Sequence, residues 1–89
     1  MSQLHVKIAR VRILSGPIAF IPHILAEQSS DGTWAARIEF RPETGGPSCS
    51  TGRETTQPNR RAVEYWAEGL EPVYFEGAFA RACVPTIAE

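Results

Sequence analysis

The sequence predicts one α+β domain, in which a three- to four-stranded antiparallel sheet is followed by one or two helices packed on one face. Three observations carry that prediction. Apolar and polar residues alternate with period two through much of residues 4–41. A stripe at helical spacing, Ala62, Val63, Trp66, Ala67 and Leu70, comes only after Pro58. Eighty-nine residues, 1–89, leave room for one small core and no second domain.

Residues 4–14 read as the first strand. Leu4, Val6 and Ile8 share one face, with His5 and Lys7 on the other. Val11 and Ile13 then carry the apolar phase, so a bulge or bend is expected near Ala9 and Arg10. Gly16-Pro17 is a turn. Residues 18–28 form a second strand that is apolar on both sides. Ile18, Phe20 and Ile24 lie on one side, Ile21 and Leu25 on the other. Such a strand has both faces covered, or turns one to a partner. Pro22 cannot donate a ladder hydrogen bond, which places the strand at an edge or at a bulge.

Asp31-Gly32 closes a hairpin. Residues 33–41 then alternate cleanly, with Trp34, Ala36, Ile38 and Phe40 inward and Arg37, Glu39 and Arg41 outward. Gly45-Gly46 marks a loop, and residues 48–54 fit a short fourth strand beside the third. Residues 55–58 read as a helix start, with a threonine as N-cap and Pro58 in the first turn. Arg60, Arg61, Glu64 and Glu68 decorate the solvent side of that helix, and Gly69 ends it. Residues 72–84 fit a helix through Phe75, Ala78, Phe79, Ala82 and Cys83, or a strand through Val73, Phe75, Phe79 and Cys83. Three alanines favour the helix.

Nine Lys and Arg face ten Asp and Glu, for a net charge of −1. A histone-like or ribosomal nucleic-acid binder would carry a clear basic excess. The most apolar stretch, residues 13–26, is broken by Gly16, Pro17, Pro22 and His23, too early for a membrane span and a poor signal-peptide core. A cytoplasmic protein is expected, with Cys49 and Cys83 as reduced thiols.

No catalytic, cofactor or metal site emerges. His5, His23, Cys49 and Cys83 form no closely spaced ligand pair, so zinc is not expected. Cys49 sits in a polar loop four residues from Arg53. It would act as a nucleophile only with His5 or His23 brought beside it, and its reactivity stays open. The glycines near Thr44 lack a phosphate-loop lysine. Arg37, Arg41 and Arg53 are candidate anion contacts, which nucleic acid or an anionic ligand would use. Trp34 and Trp66 face inward, whereas Tyr65 and Tyr74 are expected at the surface. With Phe20, Ile21, Ile24 and Leu25 they make a candidate protein interface, because aromatic residues carry interface energy. A core this small also gains from a partner or a second copy over an apolar face.

Residues 21–70 resemble HicB-type antitoxin domains in layout. A strand, the Asp31-Gly32 turn, a strand opening on Trp34 and a short polar strand ending Gly52-Arg53-Glu54-Thr55 lead into a helix. That family has a Gly-x-x-Thr-like helix entry, and the resemblance implies a small toxin partner and oligomerisation. The helix here opens Pro58-Asn59-Arg60-Arg61, where the family usually carries acidic residues. No ribbon-helix-helix or helix-turn-helix segment follows, so DNA binding is not implied. The expectation is therefore a non-enzymatic domain that binds a protein or itself, with an anion or nucleic-acid binder as the alternative.

Overall fold

The structure is a computed structural model that describes residues 2–83. In chain order it runs β1 (Gln3–Lys7), β2 (Ile13–Ser15), β3 (Ile18–Gln28), β4 (Trp34–Pro42), β5 (Cys49–Ser50), β6 (Thr55–Gln57), α1 (Arg60–Glu68) and α2 (Pro72–Ala82). All pairings are antiparallel: β1 and β2 lie along one side of β3, β4 along the other, and β5 and β6 beyond β4. The α+β architecture is the expected one, with two helices. The strand count rises from the expected four at most to six because residues 4–14 are split into two strands and residues 55–57 join the sheet.

The phase flip in residues 4–14 is a true break. Pairing with β3 stops at Lys7↔His23 and resumes at Ile13↔Phe20, so residues 8–12 stand opposite only Ile21 and Pro22. A turn fills the gap, its Val11 amide donating to the Ile8 carbonyl at 3.2 Å. Pro22 explains the position of the break. Its carbonyl accepts from the Ile8 amide at 2.9 Å. The N and O of one strand residue point to the same side, so the missing N–H faces the gap, where no ladder bond is lost. β3 is thus the central strand, and the bulge rather than the edge accommodates Pro22.

Both hairpin turns follow their sequence signals. Gly16 has φ 61° and precedes Pro17 between the paired Ser15 and Ile18, as a two-residue primed turn requires. Gly32 has φ 90°, and the Asp31 carboxylate accepts from the Thr33 amide at 3.0 Å. The start of α1 differs from the expectation. Thr55–Gln57 pairs with Trp34–Ala36 of β4, and Asn59 is the N-cap, its Oδ1 accepting from the Ala62 amide at 2.8 Å. Pro58 biases Gln57 toward extended backbone, and Asn caps at least as well as Thr. The threonines therefore stay in the sheet.

The helices cover one face of the sheet. Phe40, Phe75, Ile24, Ile38, Val63 and Pro22 are fully buried between the layers. Phe79 of α2 packs on Phe20 and Phe40, with ring centroids 5.0 and 5.2 Å away. Arg10, displaced outward by the break, reaches the end of α1. Its guanidinium donates to the carbonyls of Ala67, Glu68 and Leu70 at 3.2–3.4 Å and lies 6.0 Å from the Phe75 ring centre. The carbonyls at and just past a helix end lack intrahelical donors, and Arg10 supplies one, beside the Leu70 amide that also donates to Ala67 at 3.4 Å. No described helix is long and apolar enough to cross a membrane.

Residues 72–82 are helical, and Val84 lies outside the described residues. The end of α2 is fastened in two further ways. Arg81 donates to both carboxylate oxygens of Glu54, at 2.7 and 3.1 Å, and the Tyr74 hydroxyl donates to the same carboxylate. Cys49 and Cys83 form a disulfide across a Cα–Cα distance of 5.5 Å, which overturns the expectation of two reduced thiols. Nothing local announces that pairing, because the cysteines lie 34 residues apart and meet only once α2 has folded back onto β5.

Candidate functional site: the open face of the sheet

Strand alternation assigns the second face row by row. Residues paired across the sheet project to the same side, so one row reads Lys7, His23, Glu39 and Ser50. The next reads His5, Leu25 and Arg37, and the one beyond it Gln3, Glu27, Ala35 and Thr56. In the other direction lie Ile21 and Arg41. No described element packs over this face.

Cations exceed carboxylates here. Lys7, Arg12, Arg37, Arg41 and Arg53 stand on or around it against Glu27, Glu39 and Glu43. The chain as a whole carries −1, so the negative excess lies elsewhere. Two of the cations are engaged: Arg12 makes a two-pronged bond to Glu43, both contacts at 2.9 Å, and Arg41 bonds Glu39. The Glu43 carboxyl accordingly lies below its usual range, held there chiefly by the Arg12 hydrogen bonds. Arg37 and Arg53 make no salt bridge or side-chain hydrogen bond among the described residues. They line one open groove of about 680 Å³ with Leu25, Glu27, Ala35, Ser29 and Ser30. An apolar floor edged by a few unsatisfied polar groups is the usual make-up of a binding site.

Midway along the face, His5 Nε2 and His23 Nδ1 lie 2.7 Å apart and share one hydrogen bond. His23 is only 8% exposed. Burial, reinforced by Arg41, His5 and Lys7, pushes its pKa below the usual histidine value, and Glu39 opposes that only in part. His23 is therefore neutral near pH 7 and separates the Arg37–Arg53 groove from a second depression, lined by Lys7, Arg12 and Arg41.

The candidate residues named from the sequence are divided by the structure. Ile24 is 0% exposed and Ile21 7%, so neither offers surface. Phe20 is half-buried against Phe79. Leu25 keeps partial exposure on the open face. Tyr65 is 80% exposed, but on α1. Tyr74 is half-buried and bound to Glu54, which corrects its expected surface position, and burial with that bond raises its pKa. Arg37 and Arg53 converge on one groove, and Arg41 belongs to the other depression.

Cys49 pairs with Phe40 on the helix side of the sheet and is bonded to Cys83. The histidines are on the opposite side, so no Cys–His couple forms. Among the described residues no group of three or more His, Cys, Asp or Glu side chains could hold a metal ion. No family model, curated protein or solved structure matches this chain.

Proposed function

We propose that this chain is a non-enzymatic binding module whose open sheet face docks an acidic segment of a partner protein. The observation that carries the reading is the groove in which Arg37 and Arg53 flank Leu25, two guanidiniums against the one carboxylate of Glu27 and neither in a salt bridge among the described residues. An acidic side chain would satisfy both guanidiniums while an apolar neighbour covers Leu25. A toxin-neutralising role of the HicB kind would be one form of this activity. The reading takes the chain to act in the cytoplasm.

A nucleic-acid role has less support. All eight aromatic residues lie on the inner face, in the helices or at the core, so none of them stacks bases from the open face.

The test is capture from host lysate on immobilised protein at two salt concentrations, with and without nuclease, beside the variant Arg37→Glu/Arg53→Glu. A protein held by the wild type at both salts, and lost by the variant, supports the reading. Retention by both proteins alike, or of nucleic acid alone, overturns it. Retention of the chain's own second copy would move the assignment to self-association.

A further inference from the structure

We infer that Cys49–Cys83 is a reversible thiol–disulfide exchange site that locks the last turn of α2 onto the sheet. Three features of the fold lead there, and none depends on the partner reading. First, the bond joins the last turn of a helix to a short strand. β5 is two residues long and pairs through Glu39↔Ser50 and Phe40↔Cys49, with Thr51 beyond it bonded to Ile38, while Cys83 caps the end of α2. Second, both cysteines are half-buried rather than sealed, so a small thiol can reach the bond. Third, α2 does not depend on the bond to stay in place. Phe75 and Ala78 are fully buried, and Arg81 and Tyr74 hold Glu54. Reduction therefore leaves a folded chain with a looser final turn, giving two states rather than one.

The chemistry balances with a low-molecular-weight disulfide, RSSR, as oxidant. The two thiols lose two protons and two electrons, and RSSR becomes two RSH. In the reverse direction a thiolate RS⁻ attacks Sγ of Cys83. The Cys49–Cys83 bond breaks with its electron pair on Cys49, which then takes a proton from solvent. A second RS⁻ attacks the mixed disulfide, forming RSSR and releasing Cys83, which is protonated in turn. Cys49 is the better leaving group, because Cys83 sits at the negative end of the α2 dipole, where a thiolate is disfavoured. A disulfide exposed to exchange in this way is of the labile rather than the permanent kind.

The test equilibrates the whole protein in glutathione buffers of graded GSH:GSSG ratio. Iodoacetamide labelling and mass count the thiols, and NMR follows amide exchange. The Cys83 amide is the reporter, since it donates to the Phe79 carbonyl at 2.8 Å. On reduction its exchange, with that of Arg81 and Ala82, should accelerate at least tenfold. The Ile24 amide signal should keep its folded chemical shift, since reduction leaves the core assembled, and re-oxidation should restore the slow rates at the end of α2. Cys83→Ser should exchange like the reduced protein in every buffer, and Cys49→Ser should take up one glutathione at Cys83. Free thiols in the most oxidising buffer would overturn the inference. So would reduction that leaves the Cys83 amide unchanged, or that moves the Ile24 signal to its unfolded position.

Discussion

The two faces of the sheet are made from the same strands and do opposite things. On the helix side, Ile24, Ile38 and Phe40 are completely buried against Val63 and Phe75. On the other side, Leu25, Arg37 and Arg41 keep exposure, and Arg37 and Arg53 make no salt bridge among the described residues. Alternation along β4 creates the contrast: Ile38 and Phe40 enter the core, while Arg37, Glu39 and Arg41 cannot. A small domain thus confines its stability to one face and leaves the other free to carry charge.

The largest expected effect lies on the covered face. Phe40→Ala should destabilise the fold by about 3–5 kcal/mol, by lost burial and a cavity against Phe79. Urea unfolding measures it, and a loss under about 1 kcal/mol would break the contrast between the faces. Next is reduction of the disulfide. Reopening a 34-residue loop should lower stability by roughly 3–4 kcal/mol by the chain-entropy relation. Parallel urea titrations with and without reductant provide the value.

Arg10→Ala should cost about 1–2 kcal/mol, since it leaves three carbonyls around the end of α1 without this donor. Arg10→Lys should recover only part of that, because the ammonium lacks the planar group that lies over the Phe75 ring. Arg37→Ala and Arg53→Ala should change stability by no more than about 0.5 kcal/mol while weakening partner capture. A large stability loss in either would show that the open face is part of the fold's support.

The pH profile has two parts. His23 has a lowered pKa in the folded state, so the unfolded chain binds more protons in the window between the two values. Its contribution is complete above the unfolded histidine pKa and declines as pH falls through that window. His23→Gln should flatten that part of the curve. The Glu54 carboxyl is depressed chiefly by the Arg81 hydrogen bonds. Its contribution is present above the unfolded carboxylate pKa and lost as pH falls through the folded one. Glu54→Gln should remove this acid limb.

Most of the covered face was legible in the sequence, because β4 and α1 bury one stripe each and show it as a period. The break at Ala9 and Arg10 was legible for the same reason, through its phase flip. Arg10 as a cap on α1 was not, since its acceptors lie 57–60 residues away. Thr55–Gln57 suits a helix start and a strand equally well, and the open ladder positions on β4 decide between them. The site was half legible. Arg37 and Arg41 follow from alternation, but only the fold of the loop around Arg53 brings it beside Arg37 and leaves Arg41 to the other depression. Ile24 was misplaced because an apolar residue on a two-sided strand does not declare which side is covered.

The most direct measurement places a photo-crosslinking residue at Ala35, on the open face, and in a second protein at Glu64, on α1. Both are irradiated in host lysate. The account predicts one protein adduct from position 35, joined through an acidic segment of the partner and absent when Arg37 and Arg53 are reversed to glutamate. It predicts no such adduct from position 64. The same adduct from position 64 and not from 35 would contradict it.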